Sequence, residues 1–199
     1  MQKILIATHN PGKIREYQAL LVDLPLTVTS LQAEGIAYDV PETGTTFAEN
    51  AILKAEGYAQ LSGLLTWADD SGLEIDALEG RPGVYSARYG GPGLSDQQRY
   101  EAILAEIALL PNAAHSARFQ CVVALAVPGG NTYTVAGNVA GVITTTARGV
   151  HGFGYDPIFY LPEFKATMAE LAPEIKNRIS HRARASYLAR KKLSELLKK

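Results

Sequence analysis

The stretch LLTWADDSGLEID, residues 64–76, decides how the rest of the chain is interpreted. Its apolar start is typical of a buried strand, and two adjacent carboxylates, a hydroxyl and a glycine follow. Because side chains alternate across a strand, Asp69 and Asp70 are expected to point to opposite sides. Only one of them can then face a given pocket, and the other is better placed to bind a lysine or the backbone.

This pair of aspartates has two interpretations. A carboxylate at the end of a strand, beside a glycine that lets the backbone approach a ligand, suits a hard divalent cation and an attacking water. The alternative is an ordinary turn, since Asp-Asp-Ser-Gly is also common turn composition. Partners elsewhere in the chain favour the first interpretation.

The N-terminal segment has the pattern of an anion-binding loop. A short apolar strand at residues 4–7 precedes the loop, and a helical pattern over 14–21 follows it. The loop consists of Thr8, His9, Asn10, Pro11, Gly12 and Lys13. A helix start offers backbone N–H groups to a phosphate, Lys13 adds a positive charge, and Thr8 and Asn10 add side-chain donors. The spacing excludes a Walker A loop. The alternative is a plain helix start in which Asn10 is the cap and Pro11 takes the first helical position.

A second helix is predicted to begin near Thr46. Its apolar stripe at helical spacing is Ala48, Ile52, Ala55 and Ala59. Asn50 and Lys54 lie off that stripe, and a helical lysine is usually solvated. Glu42, in the loop before this helix, is open to interpretation as a solvent-facing turn residue.

The middle of the chain alternates loops with regular elements. The loop at 80–93 contains five glycines and two prolines, and its Arg and aromatic residues argue against a passive linker. A helix is predicted over 94–110 with Ser95 as its cap. Strands are predicted over 117–127 and 133–142, joined by a Pro-Gly-Gly-Asn hairpin turn.

The stretch GVHGFGYDPIF, residues 149–159, is a candidate nucleobase platform. Three glycines free its backbone, Phe153 and Tyr155 offer flat faces, and Asp156 offers an acceptor. Stacking of a base on an aromatic ring contributes about 1–3 kcal/mol. The alternative is that Phe153, Tyr155 and Phe159 are core aromatics.

Composition indicates an ordinary globular protein. The 199 residues are 47% hydrophobic with a net charge of −1, enough for one substantial domain with a real core. The single cysteine, Cys121, excludes a disulfide framework and a cysteine-rich zinc site, and it is expected to be a core residue in a reducing compartment. No apolar run approaches the ~20 residues of a membrane span, and no signal peptide is apparent. Cytoplasmic localisation is the expectation.

The C-terminal part is basic. From Lys165 to Lys199 there are ten Lys and Arg against three Glu. Ser180-His181-Arg182 clusters three donors before a long helix predicted over 183–198, and Arg suits planar fork recognition. The excess positive charge indicates either an anionic partner or a solvated amphipathic helix. The second interpretation is preferred for the four exposed-looking lysines, which are Lys191, Lys192, Lys198 and Lys199.

Six blocks of sequence, in this order, resemble one known family. They are Thr8–Lys13 with Glu16, Glu42–Ala55, Ala68–Leu73, Pro82–Arg88, Phe153–Phe159 and Ser180–Arg182. The chain resembles the Ham1/RdgB-type inosine/xanthosine triphosphate pyrophosphatases over nearly its whole length. His9 and Pro11 depart from the small residues expected at those places, and neither supplies essential chemistry.

The resemblance implies a fold and an activity. The fold is α/β, a long mixed β-sheet flanked by helices, forming a single domain over residues 1–199 with two lobes, an active-site cleft between them and no independent linker. The activity is hydrolysis of deaminated purine nucleoside triphosphates (ITP, dITP, XTP) to the monophosphate and pyrophosphate, with Mg²⁺ and as a homodimer.

The resemblance also implies site residues. Asp70 matches the general base and metal-associated carboxylate, and Glu42 is carried over as a metal ligand. Residues 8–13 match the triphosphate loop. The other substrate contacts are Lys54, Ser71, Phe153, Gly154, Tyr155, Asp156, Lys176, His181 and Arg182. Donors of the Ser180–Arg182 turn would favour the 6-keto group of hypoxanthine and xanthine over the amine of adenine.

Two other functions remain open from the sequence. One is a Maf-like pyrophosphatase that acts on pyrimidine or modified nucleotides, against which the Phe153–Asp156 and Ser180–Arg182 blocks argue. The other is a nucleic-acid-binding module that uses the basic C-terminal segment. Nucleic-acid binding by the C-terminal segment would give no function to Asp69 and Asp70.

Overall fold

A computed structural model of the chain describes residues 2–110 and 114–197. Over these residues it has five α-helices and one seven-stranded sheet. The strands are β1 (Lys3–Ile6), β2 (Thr27–Ser30), β3 (Leu65–Ile75), β4 (Ser116–Ala126), β5 (Thr132–Ile143), β6 (Phe159–Leu161) and β7 (Ala166–Thr167). The helices are α1 (Pro11–Leu20), α2 (Phe47–Ser62), α3 (Asp96–Ala108), α4 (Pro173–Ile179) and α5 (His181–Leu196).

The sheet is mixed, in the strand order β2-β1-β3-β4-β5-β6-β7. Strand β1 pairs in parallel with β2 and β3, whereas β6 pairs antiparallel with β5 and β7. The turn at 127–131 joins β4 and β5, and within it Val127 donates its N–H to the Asn131 carbonyl. The predicted α/β class with a mixed sheet is confirmed.

The chain folds into two compact units, each assembled from separate segments. The first unit comprises residues 1–70, 121–137 and 182–199, and the second comprises 71–120 and 138–181. Each has an apolar core of its own. In the first, Trp67, Tyr17 and Leu193 are among the buried side chains; in the second, Ile103, Phe119 and Phe159 are.

Strand β3 passes straight through the two aspartates. We predicted that the carboxylates stand at a strand end, or in a turn, and both predictions are wrong: the strand continues to Ile75. The pairing of β3 with β1, however, stops at Trp67. Asp69 and Asp70 therefore lie on β3 just beyond the part of the strand that pairs with β1.

Local sequence explains where the helices begin. The Asn10 side chain accepts from the N–H groups of Gly12 and Lys13, with Pro11 at the first helical position, so the predicted cap is confirmed. Thr46 and Ser95 begin α2 and α3 with capping boxes, each reciprocated by the residue three positions on. Helix α5 begins at His181, two residues earlier than predicted. Lys198 and Lys199 lie outside the described residues.

Helix α2 buries only part of its predicted apolar stripe: Ala55 and Ala59 are buried as predicted, but the buried face is rotated away from the other two residues. Ala48 and Ile52 are only half-buried. The buried residues are Phe47, Asn50, Ala51, Lys54, Ala55, Tyr58 and Ala59. A solvated Lys54 is therefore wrong. The face is rotated because two of its polar side chains have partners on β3, as described below.

Helix α5 is amphipathic. It buries Ala185, Ala189 and Leu193 in the core of the first unit, while Lys192 pairs with Glu195 on its outer side. This arrangement supports the solvated-helix interpretation for the described lysines. The predicted core position of Cys121 is confirmed, since its side chain is fully buried. Among the described residues, no helix is both long and apolar enough to cross a membrane.

Candidate active site

In the N-terminal loop, three backbone N–H groups are hydrogen-bonded to side chains of the loop itself. The Asn10 N–H donates to the Thr8 hydroxyl, and the next two donors reach the Asn10 carboxamide oxygen at 2.8 and 3.1 Å. We predicted N–H groups open to a phosphate, and in this structure they are not. The Asn10 oxygen accepts the two N–H groups that an anion would take at a helix start. His9 is exposed, and the centre of its ring lies 6.4 Å from the centre of the Tyr58 ring in an edge-to-face arrangement.

Asp69 is the centre of a buried ionic cluster in the first unit. Its Oδ2 lies 2.9 Å from Lys13 Nζ and 3.6 Å from Arg182 Nη2. Arg182 also pairs with Glu16 at 2.6 Å. Cys121 Sγ lies 3.7 Å from the same Asp69 oxygen. The expectation that one of the two aspartates binds a lysine is therefore confirmed, and the lysine is Lys13.

Asp70 belongs to a second polar cluster, formed with α2 and the loop before it. Lys54 Nζ lies 2.6 Å from Glu42 and 3.5 Å from Asp70 Oδ1. Asn50 donates to the other oxygen, Asp70 Oδ2, at 3.2 Å. Glu42 is thus an ion-pair partner rather than a solvent-facing turn residue. The two aspartates have separate partners, as alternation along a strand requires.

Asn50 connects Asp70 to the preceding loop. Its carboxamide oxygen accepts the Gly44 N–H at 2.8 Å, which fixes its amide donor toward Asp70. A Cβ at Gly44 would lie 2.8 Å from that oxygen and 2.6 Å from Glu49 Cβ, so the approach requires glycine. Asn50 was missed as a site residue, although its spacing of four from Lys54 places both on one helix face.

The pKa values of the two adjacent aspartates are shifted in opposite directions. Burial alone would raise the pKa of Asp69, but the charges of Lys13, Arg182 and Lys54 outweigh it and hold that pKa well below its usual range. Burial raises the pKa of Asp70 above its ordinary value, helped by Glu42 and Asp69 and opposed by Lys54. Asp69 is therefore a fixed negative charge, whereas Asp70 is the more basic carboxylate.

The donor set around Asp70 suits a magnesium ion held partly by substrate. Asp70 and Glu42 supply carboxylate oxygens that already share one cation, Lys54 Nζ. Among the described residues no group of three or more His, Cys, Asp or Glu side chains is placed to hold a metal. Mg²⁺ characteristically binds one or two carboxylates together with substrate phosphates rather than an all-protein cage, so these residues fit it.

The aromatic loop of the second unit is built around a buried ion pair. Lys176, on α4, pairs closely with Asp156, and its Nζ also lies 4.7 Å from the centre of the Phe153 ring. The Phe153 N–H donates to Asp156 at 2.9 Å. Gly152 has a φ of +78°, and a Cβ there would lie 2.0 Å from an Asp156 oxygen. Asp156 is therefore an acceptor, as predicted, but a buried one whose described partners lie within the loop and on α4.

The candidate base platform is only partly present. Phe153 is half-buried, whereas Tyr155 and Phe159 are buried in the core of the second unit. The core interpretation is thus right for Tyr155 and Phe159. The Tyr155 hydroxyl donates to the Ser86 carbonyl at 2.8 Å, and the Gly154 N–H donates to Asp96 at 2.8 Å. Ser86 and Asp96, which sequence reasoning did not assign to the site, fix the loop from the 3-10 helix Gly83–Arg88 and from the start of α3.

The remaining predicted residues lie on β3 and α5. Ser71 follows Asp70 and is half-buried. His181 is buried, with its ring stacked 4.7 Å from that of Phe119 at an interplanar angle of 19°. Arg182 is 1% exposed; burial alone would lower its pKa, but Asp69 and Glu16 raise it instead. The predicted donors of this turn are therefore enclosed rather than freely presented.

Comparison with known proteins agrees with this architecture. The model of the Ham1 family matches residues 4–192. A dITP/XTP pyrophosphatase of Bacillus subtilis (strain 168) is 49% identical over 197 residues, covering 99% of this chain and 98% of the relative. Another from Geobacter sulfurreducens is 49% identical over 185 residues, covering 93% of each.

Solved structures give the same result. A HAM1 protein from Coxiella burnetii superposes with a TM-score of 0.89 at 41% identity, covering 98% of this chain and 100% of that one. The Staphylococcus aureus Ham1 protein superposes with a TM-score of 0.87 at 41% identity, covering 98% and 99%. Sequence and fold lead to one conclusion: the chain belongs to the Ham1 family.

Proposed function

We propose that this chain is a nucleoside triphosphate pyrophosphohydrolase that converts ITP, dITP and XTP to the monophosphate and pyrophosphate. Its relatives at 49% identity are dITP/XTP pyrophosphatases. The structural observation that carries the proposal is Asp70, a buried carboxylate with a raised pKa, held by Lys54 and Asn50. The activity would remove deaminated purines from the nucleotide pool.

Asp70 is the proposed general base. Water attacks the α-phosphorus, the bond from the α-phosphorus to the bridging oxygen breaks, and pyrophosphate leaves with that oxygen. Asp70 takes the proton that the water loses. The raised pKa of Asp70 makes it a stronger base than an ordinary aspartate. Asn50 donates to one of its oxygens, which leaves the other facing Lys54 and the reacting water.

Positive charge is the second requirement, because phosphoryl transfer depends mainly on positioning and on neutralising the phosphate oxygens. Lys54 and Lys13 are the proposed cations, and Thr8, His9, Asn10, Pro11 and Gly12 form the loop that carries Lys13. Since Asn10 caps its own helix in the present form, we expect a phosphate oxygen to take over the N–H groups of Gly12 and Lys13. The freed carboxamide would then be available to the substrate.

Mg²⁺ is the proposed cofactor, with Asp70 and Glu42 as its protein ligands. When bound, it supplies charge neutralisation for the phosphate oxygens. Ser71 is proposed as a further substrate contact next to Asp70.

The nucleobase is assigned to residues around the aromatic loop and the start of α5. Phe153, Gly154, Tyr155, Asp156 and Lys176 form the loop cluster, and His181 and Arg182 follow it in the chain. Because Tyr155 and Asp156 are buried, we assign them to holding Phe153 and Lys176 in place. Phe153 is the proposed stacking ring, and the donors of His181 and Arg182 are proposed to favour a 6-keto purine.

We further propose that the protein acts in the cytoplasm as a homodimer and without nucleic acid. The buried, free Cys121 agrees with a reducing compartment. Light scattering coupled to size-exclusion chromatography measures the oligomeric state, and a monomer at micromolar concentration would contradict this part of the proposal.

Pyrophosphate release tests the function. ITP, XTP, dITP, GTP, ATP and dTTP are each assayed with and without Mg²⁺. We expect ITP, dITP and XTP to be hydrolysed with kcat/KM at least about 100-fold above ATP and dTTP, since a missing hydrogen-bond partner is strongly rejected. Fast hydrolysis of dTTP would instead indicate the Maf-like activity, and turnover that does not require a divalent cation would contradict the assigned metal.

A further inference from the structure

One oxygen atom of Asp69 lies between Arg182, which is assigned to the nucleobase, and Lys13, which is assigned to the phosphates. Asp69 Oδ2 lies 2.9 Å from Lys13 Nζ and 3.6 Å from Arg182 Nη2. Among the described residues, the other oxygen, Asp69 Oδ1, is buried without a hydrogen-bond partner. Both cations therefore lie against the same atom of one carboxylate.

The surroundings allow little relaxation. Asp69 is 1% exposed, and Cys121 and Tyr17 close the cluster, with Tyr17 4.0 Å from the Cys121 sulfur and its ring 5.9 Å from the Arg182 guanidinium carbon. Water screens such an enclosed cluster only weakly, so a displacement of one cation changes the field at the other.

The contacts of the Asp69 oxygen with Lys13 and Arg182 are unequal. At 2.9 Å the Lys13 contact is a charge-assisted hydrogen bond, whereas at 3.6 Å the Arg182 contact is longer than a hydrogen bond. The short bond of Arg182 goes to Glu16 at 2.6 Å. Any ligand that changes the position of the guanidinium therefore changes how strongly Asp69 holds Lys13.

We infer that Asp69 is a positioning residue that couples Arg182 to Lys13, so that the nucleobase affects how the phosphates are bound. The inference rests on the proposed function for the identity of the two ligand groups. In this proposal, a keto purine and an amino purine differ in how well the phosphates of the same nucleotide are bound. Asp69 transmits this difference without touching the base or the phosphates.

Inorganic pyrophosphate is the probe, because it has phosphates and no base. Its affinity in the presence of Mg²⁺ is measured by calorimetry for the wild type, Arg182→Lys, Asp69→Asn and the double variant. Arg182→Lys keeps the charge but loses the fork that reaches Glu16 and Asp69 together. Arg190→Lys is the matched control: Arg190 lies on the same helix, pairs with Asp23 and the Leu20 carbonyl, and is outside the cluster.

We expect Arg182→Lys to weaken pyrophosphate binding about threefold to tenfold, the usual range for coupled neighbours. The same substitution should have less than about a twofold effect in the Asp69→Asn background, and Arg190→Lys should have none. In ITP hydrolysis, Asp69→Asn should lower the ITP-to-ATP ratio of kcat more than the ratio of KM, which a loss of stability alone would not do.

Three results would overturn the coupling. Equal effects of Arg182→Lys with and without Asp69, no effect of Arg182→Lys, or no binding of pyrophosphate by the wild type would each do so. If Asp69→Asn does not fold, the cycle is made with Lys13→Met and Arg182→Lys instead, and additive effects of these two would count against it. Failure of the proposed function has a different signature, namely that the wild type binds pyrophosphate but does not release it from ITP.

Discussion

The acidic site on β3 and the aromatic loop of the second unit both contain lysine–carboxylate pairs, but the pairs are balanced differently. Lys176 and Asp156 form a buried ion pair, with both side chains no more than 4% exposed. Around β3, the described ion pairs join four carboxylates to three cations: Asp69, Asp70, Glu42 and Glu16 contact Lys13, Lys54 and Arg182. The first arrangement holds a loop in one shape.

The second arrangement makes neighbouring groups unequal. Asp69 has its pKa held far down by three cations, whereas the pKa of Asp70, the next residue, is raised by burial. An evenly matched ion pair is suited to binding and orientation. A cluster in which the pKa values of neighbouring carboxylates are shifted apart leaves one of them suited to accept a proton.

The largest expected effect comes from removing that carboxylate. Asp70→Asn should lower kcat for ITP by about 10²–10⁴-fold, the usual contribution of a general base. Stability should be unchanged or slightly higher, because a raised pKa means that folding disfavours the charged form. Pyrophosphate release and thermal unfolding at pH 7 measure the two effects. If Asp70→Asn lost its fold as well as its activity, Asp70 would be a structural residue, and the assignment of catalysis to β3 and of structural support to the Lys176–Asp156 pair would be contradicted.

The next largest effect is on stability and concerns the buried Lys176–Asp156 pair. Lys176→Met leaves Asp156 buried without its cation, which should lower the free energy of unfolding by about 3–5 kcal/mol. Lys192→Met is the control, since its ion pair with Glu195 is solvent-exposed and should cost less than about 1 kcal/mol. Urea denaturation measures both, and equal losses would show that the second unit does not depend on this pair.

Substitution of the stacking ring is expected to act on binding alone. Phe153→Leu should raise KM for ITP about tenfold with little change in kcat, since one base–aromatic contact contributes about 1–3 kcal/mol. Phe164→Leu, at a half-exposed phenylalanine of the same unit, should leave KM unchanged. Steady-state kinetics distinguish the two variants, and a selective loss of kcat would instead place Phe153 near the reacting phosphate.

The smallest expected effects are displacements of the acid limb of the pH profile of kcat/KM. Glu42 raises the pKa of Asp70 and Lys54 lowers it. Glu42→Gln should therefore move the limb to lower pH, and Lys54→Met should move it to higher pH. Only the position of the limb is compared, because both residues also contribute to binding. If the acid limb moved in the same direction in both variants, Asp70 would not be the group whose titration produces it.

The sequence was most informative where structure is local. Asn10 caps α1 because its own side chain reaches the next two N–H groups, and the Pro-Gly-Gly-Asn turn joins two strands by its own geometry. The ordered blocks also led to the family, since Asp70 and the residues around it keep a recognisable spacing.

What the sequence could not supply depends on distant partners. Asn50 and Lys54 looked solvated because a helical pattern does not reveal that Asp70 and Glu42 lie opposite. Tyr155 looked like an open ring because its anchor, Ser86, is far away in the chain. The enclosure of Arg182 likewise depends on Glu16 and Asp69, which only the folded chain brings to it.

The measurement that tests the central claim most directly is the stoichiometry of products from ITP and Mg²⁺, resolved by ³¹P NMR for the wild type and for Asp70→Asn. We expect inosine monophosphate and pyrophosphate in equal amounts from the wild type, and almost none of either from Asp70→Asn. Release of inorganic phosphate and the diphosphate, or full turnover by Asp70→Asn, would contradict it.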